Sequence, residues 1–219
     1  MEQYTPLIYV GAGVGLVVVI LVATRIYEKK RREGWLLAAR NLGFEFQEDA
    51  APLMERFGSF KVFQQGHSRR VRYALVGRHG AAEAYLIDYQ YTTGGGKHQT
   101  RHRQTLCVFR SPKLKLPHCF VRRQKALFDL LGKAFGGQDI DFDDDREFSK
   151  SFVLQGVDEE ATREVFDWNV RRSFLQLPSH DFQVEVLGGT VLVNPGRSIK
   201  PVQAADHLDW GHSILRIFG

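Results

Sequence analysis

The chain opens on an unbroken apolar run. From Leu7 to Thr24, 18 residues pass without a charge, and eleven of them are Leu, Ile or Val. As a helix rising ~1.5 Å per residue the run would cover about 27 Å, close to the roughly 30 Å core of a bilayer. Each branched aliphatic residue favours insertion by about 0.3 to 0.6 kcal/mol near the membrane centre. The pattern therefore predicts a transmembrane helix over residues 7–27, preceded by a short external N-terminus over residues 1–6. After it the apolar period changes to that of an amphipathic helix. Trp35, Leu36, Ala39 and Leu42 form a stripe on residues 28–42, and Gly43 suits the C-terminal stop.

From Gly43 onward short alternating runs dominate. Phe44 and Phe46 alternate with polar neighbours. A brief helix over Asp49 to Phe57 has Pro52 in its first turn, and residues 60–63, 71–76 and 83–91 read as strands. The strand over 83–91 is the clearest, with Tyr85, Ile87, Tyr89 and Tyr91 on one face and Leu86 and Asp88 on the other. Further strands are predicted over 99–109, 118–121, 152–155, 182–187 and 190–193, the last two a hairpin through Gly188-Gly189. Helices are predicted over 124–135, over 158–175 with Asp158 as its cap, and over 201–218. Sequential meanders with helices between them indicate an α+β fold of mostly antiparallel sheet over residues 43–219, with a sub-boundary near 137–150.

Charge refines this picture. The net charge is +5, but residues 89–128 contain no acid and carry Lys97, Arg101, Arg103, Arg110, Lys113, Lys115, Arg122, Arg123 and Lys125. Residues 139–167 reverse the balance. Such a layout suits either a domain that turns its basic face toward anionic lipid headgroups or an acidic partner, or one whose charges pair across the fold. The cluster Lys29, Lys30, Arg31 and Arg32 follows the apolar run, and only Glu2 precedes it. The positive-inside rule then sets the N-terminus outside and the domain in the cytoplasm, with the cluster at the membrane surface. A secretory signal has the opposite charge order, so cleavage is not expected. Gly11 and Gly15 stand one turn apart, a spacing that lets a second helix approach closely. Cys107 and Cys119 are too few for a disulfide framework and read as free thiols.

The stretches Asp88-Tyr89-Gln90-Tyr91-Thr92-Thr93-Gly94-Gly95-Gly96-Lys97, Asp139-Ile140-Asp141-Phe142 and Glu147-Phe148-Ser149 resemble a family of bacterial single-span membrane proteins with no assigned chemistry. The likeness covers roughly residues 35 to 195. It implies an inner-membrane location and carries over no catalytic residue. In build alone the chain is similar to the H subunit of purple-bacterial photosynthetic reaction centres, with one span and a sheet-rich domain capping a complex.

Motifs that would carry chemistry are weak. Gly94-Gly95-Gly96-Lys97 is followed by His98 and a strand pattern, whereas a phosphate loop needs Ser or Thr and a helix there. His98 and His102, or His118-Cys119 with Cys107, offer at most two local ligands where zinc needs three or four. Asp139 to Asp145 lacks the glycine and the terminal Glu of a calcium loop and reads as a solvated acidic turn. No cofactor or metal is called for, and nucleic acid is disfavoured as the partner of the basic stretch. The reading that unites these features is a non-catalytic accessory or scaffolding subunit of a larger membrane complex, respiratory or photosynthetic, with other membrane protein subunits as partners. The alternative is a module that binds anionic lipid or another anion through Lys97, Arg101, Arg103, Lys113, Lys115, Arg122 and Arg123. An enzyme would require Asp88, His98 and His102 to meet in one pocket.

Overall fold

The computed structural model describes the backbone of residues 5–124, 139–178 and 180–219, and the side chains of these from residue 15 onward. One long helix, α1 (Thr5–Leu42), leads into β1 (Glu45–Glu48) and the short α2 (Ala51–Arg56). Four long strands follow, β2 (His67–His79), β3 (Ala82–Thr93), β4 (Thr100–Arg110) and β5 (Leu116–Arg123). Then come α3 (Arg146–Ser151), β6 (Phe152–Gly156), α4 (Glu159–Val165), α5 (Trp168–Leu175), the hairpin β7 (Gln183–Gly188) and β8 (Thr190–Asn194), and α6 (Ala204–Leu215). The eight strands among the described residues lie in one sheet, ordered β1-β2-β3-β4-β8-β7-β5-β6, and every neighbouring pair is antiparallel. The meander β1–β4 meets the second half of the sheet along β4 and β8, in register from Cys107 opposite Val193 to Arg110 opposite Thr190.

The alternation on β3 divides the core in two. Tyr85, Ile87, Tyr89 and Tyr91 face a smaller cluster closed by Leu53, Phe57, Phe60, Val62 and Phe63. Leu86 faces the larger cluster, where the C-terminal half of α1 (Trp35, Ala38, Ala39) and α6 (Leu208, Ile214) cover the sheet beside a group of phenylalanines. Residues 60–63, expected as a strand, instead form a 3₁₀ turn, Lys61–Gln64. A strand would send Phe63 to the opposite side from Phe60 and Val62, whereas the tighter turn buries all three together. The helix expected over 158–175 breaks in two. Phe166 drops fully into the core, and Asp167 caps a new helix by accepting from the Val170 amide at 2.8 Å. The helix expected over 124–135 lies, apart from Gln124, outside the described residues.

The N-terminal reading needs a larger correction. Residues 7–27 and 28–42 are parts of one helix, and among the described residues no helix is long and apolar enough to cross a membrane. The described apolar side chains run only from Gly15 to Ala23, about 14 Å of helix, before Arg25, Glu28, Lys29 and Lys30 intervene. Residues 7–14 of the expected span lie outside the described side chains. This finding overturns the fold expected as a transmembrane helix plus cytoplasmic domain, and with it the oriented inner-membrane anchor. The architecture is an eight-stranded antiparallel sheet with helices on it, one of them projecting.

Candidate functional site

The root of the projecting helix is built on a buried ion pair. Arg31 is 7% exposed and Asp88 1%. Arg31 reaches the strand with a two-pronged grip, Nη2 donating to Oδ1 at 2.8 Å and Nε to Oδ2 at 3.1 Å. Its remaining donors go to the Ile199 carbonyl at 3.1 Å and the Ser198 hydroxyl at 2.7 Å. A guanidinium this dry is tolerable only because its fork is filled by a carboxylate and further acceptors. One turn earlier, Glu28 accepts from Arg103 at 3.0 Å and from both terminal nitrogens of Arg72. Burial would raise the Glu28 carboxyl, but hydrogen bonds and charge from the two arginines outweigh it and hold the group below its ordinary range. Sequence alternation put Asp88 on the face of β3 opposite the tyrosines, without saying that this face is buried. It gave no sign that the partner stood 57 residues earlier, inside a cluster read as basic surface.

Beyond this root the described side chains of α1 are largely bare. Leu16, Val17, Val18, Val19, Ile20, Leu21 and Val22 are each more than half exposed, as are Ile26 and Tyr27. A Cβ built on Gly15 meets nothing within 4 Å, and Gly11 lies outside the described side chains. The helix is thus an apolar rod held at its base by one buried ionic contact, Arg31–Asp88, and a partly buried one from Glu28 to Arg72 and Arg103.

The residues expected at a membrane surface separate. Lys29 pairs with Glu33 at 4.0 Å, Arg32 with Glu48 at 2.8 Å, Lys30 is exposed, and Arg31 is the buried clamp. The residues expected to contact an anion or partner do not form one patch either. Lys97 and Arg101 are exposed at the start of β4, and Lys113 and Lys115 follow its end. From Arg101 to the end of the strand at Arg110, rises of ~3.3 Å per residue keep these pairs roughly 30 Å apart. Arg103 is engaged with Glu28 and Gln90. Arg122 donates to the Arg123 carbonyl at 3.2 Å. Arg123 donates to the carbonyls of Leu177 and Pro178 and lies over the Phe152 ring at 4.7 Å.

The acidic turn stays exposed at Asp139, Asp141, Asp143 and Asp144 and sends one carboxylate inward. Asp145, 3% exposed, caps α3 through the Phe148 amide and pairs with Arg171 and Arg172, while Asp144 binds Arg171 at 2.8 Å. Arg171 is itself buried, with its guanidinium 4.1 Å from the centre of the Phe142 ring. These charges pair across the fold.

Among the described residues, Asp88 and His102 do not meet in one pocket. Asp88 faces α1, whereas His102 lies on the opposite face of the sheet, stacked on Tyr91 at 4.7 Å and bonded to the Thr93 hydroxyl at 2.7 Å. The glycine-rich loop joins β3 to β4. Gly94 has φ +78, and a Cβ there would fall 2.1 Å from the His98 carbonyl oxygen. It is a tight hairpin loop, with no helix after it to cradle phosphate. Burial pushes both thiols up, Cys119 to about 12, so neither is a ready nucleophile. Among the described residues no group of three or more His, Cys, Asp or Glu is placed to hold a metal ion.

No family model matches the chain, and no curated protein sequence matches it. Among solved structures it is similar to the crystal structure of the mycobacterial trehalose monomycolate transport factor A, TtfA. The TM-score is 0.56 at 14% identity, over 87% of this chain and 95% of that one. At that identity the likeness is one of fold.

Proposed function

We propose that this chain is a non-catalytic accessory protein of a transport assembly, docked on its partners through the projecting part of α1. The observation that carries this reading is the exposed run Leu16–Val22, held away from its own domain by the Arg31–Asp88 and Glu28–Arg72–Arg103 contacts. Seven consecutive large aliphatic side chains left in water are costly, at about 25 cal/mol per Å² of apolar surface, and a partner's apolar helices would cover them. The resemblance in fold to a transport factor supports the choice of assembly. It replaces the respiratory or photosynthetic setting anticipated from the reaction-centre likeness. The alternative of an anion-reading module has less behind it, because the basic stretch is divided between two ends of a strand and much of it is paired internally.

The test is a photo-crosslinker placed at Val19, which is also exposed, in the otherwise intact chain, followed by mass spectrometry of the adduct. The expected result is one crosslinked partner, a subunit of a transporter, that is lost in the triple variant Val18→Gln, Leu21→Gln, Val22→Gln. Those three positions share one helix face, and the thermal midpoint should stay within about 2 °C because they touch nothing in the domain. Recovery of an uncrosslinked monomer, or a crosslink that survives the triple variant, would overturn the reading.

A further inference from the structure

A cavity of about 250 Å³ opens beside the strap Arg197-Ser198-Ile199, the segment whose last two residues hold Arg31. Its walls come from three separate places in the chain: His180 before β7, Arg197 after β8, and Gln203, Asp206, His207 and Trp210 around the start of α6. The chemistry there is not that of a filled core. The Arg197 guanidinium is exposed and has no ion-pair or hydrogen-bond partner among the described residues, in a protein where Arg31, Arg72, Arg103, Arg171 and Arg172 are all engaged by carboxylates.

His207 is 9% exposed, and its Nε2 meets the Thr105 carbonyl at 3.1 Å. A carbonyl oxygen only accepts, so Nε2 carries the proton and Nδ1 is left as a lone pair without a partner among the described residues. The ring stacks on Trp210 at 5.2 Å, and His180 meets the same indole at 5.1 Å. Two imidazoles and a guanidinium thus converge on one small space. Asp206 also lines that space and makes no ion pair with Arg197.

We propose that this cavity is a binding site for one small oxyanion, a carboxylate or a phosphate, gripped by Arg197 and by the imidazoles of His180 and His207. This goes beyond the docking role of α1 and stands or falls separately from it. Arg197 supplies the fixed charge and a fork that matches two oxygens of either group. The histidines supply the conditional part. Burial, Arg197 and Arg123 hold His180 below the ordinary imidazole range, against a weaker pull from Asp181. Burial, Arg197 and His180 hold His207 below it, against the bond to Thr105. Both rings are therefore neutral at pH 7 in the empty cavity. An anion placed among them reverses the balance, so that His207 takes a proton on Nδ1 and both nitrogens donate. Binding draws in a proton and tightens as pH falls from 7.5 toward 6.

The test is an NMR titration of the histidine ring signals of the full chain with sodium phosphate and with sodium acetate. Both titrations are run against sodium chloride at matched ionic strength, at pH 6.2 and pH 7.5. The expected result is saturable movement of the His180 and His207 signals with phosphate, acetate or both, at least several-fold tighter at pH 6.2. The stronger of the two salts identifies the source class. Arg197→Gln should weaken binding at least about tenfold, Lys200→Gln on the same loop should not, and Asp206→Asn should tighten it. A defect in folding cannot produce the last result. Movement shared equally by chloride, equal loss in Lys200→Gln, or unchanged or weaker binding in Asp206→Asn would overturn the proposal.

Discussion

At the scale of single residues, stability rests on a few charges taken out of water. Replacing Asp88 by Ala strands the Arg31 guanidinium, which is 94% shielded at its side chain, and should cost about 3–5 kcal/mol in urea unfolding. The double variant Arg31→Met, Asp88→Leu removes both charges at similar volume and should recover more than half of that loss. A double variant as unstable as the single would show that the pair stabilises by its charge and not by the avoidance of a lone one. Asp145 gives a pH dependence. Burial would raise its carboxyl, but the Phe148 amide and Arg171 and Arg172 outweigh it, so the folded value lies below the ordinary one near 3.9. A depressed folded value means the contribution is complete above about pH 5 and is lost as pH falls through the folded value. Glu28 behaves alike. Unfolding free energy measured from pH 6 to pH 2 should therefore drop mainly below pH 4, and Asp145→Asn should flatten that drop.

At the scale of elements, periodicity carried far when one face was buried and failed where packing overrode it. The alternation through Tyr85, Ile87, Tyr89 and Tyr91 located β3 and its two faces, because each face meets a separate cluster. The same logic misread residues 60–63, since three neighbouring apolar side chains all enter one cluster there. It also took the first part of one continuous helix for a membrane span. Composition marks where apolar residues end, but only tertiary contact shows that Arg31 turns inward while Lys30 does not. Helix α6 shows a constraint that composition hides. A Cβ on Gly211 would lie 2.9 Å from Cys107 Cβ and from the Phe109 ring, so glycine lets the helix sit directly on β4. Gly211→Leu forces the two apart and should destabilise by about 1–3 kcal/mol. A thermal midpoint shift of several degrees would register it, and an unchanged midpoint would contradict the close contact.

At the scale of the molecule, the two halves of the sheet meet where β4 pairs with β8, four partnered residues on each strand. The candidate docking helix and the anion cavity share the strap beside that joint, so both depend on contacts that no local stretch announces. Single strands were therefore readable in the sequence, while the way the halves close on α1 was not. The reach of Arg31 also bears on the order of assembly. Its acceptors lie 57 residues downstream at Asp88 and 168 downstream at Ile199. During synthesis the apolar start of α1 emerges long before either exists, and closing so long a loop is entropically late. Seating of the helix should then follow the rate-limiting step of folding. Arg31→Met is expected to speed unfolding in a stopped-flow chevron and to leave the folding limb nearly unchanged. A slowed folding limb would place the contact early. With late seating, the newborn chain carries its exposed aliphatic run unrestrained, and a chaperone or the partner itself has that interval in which to take hold of it.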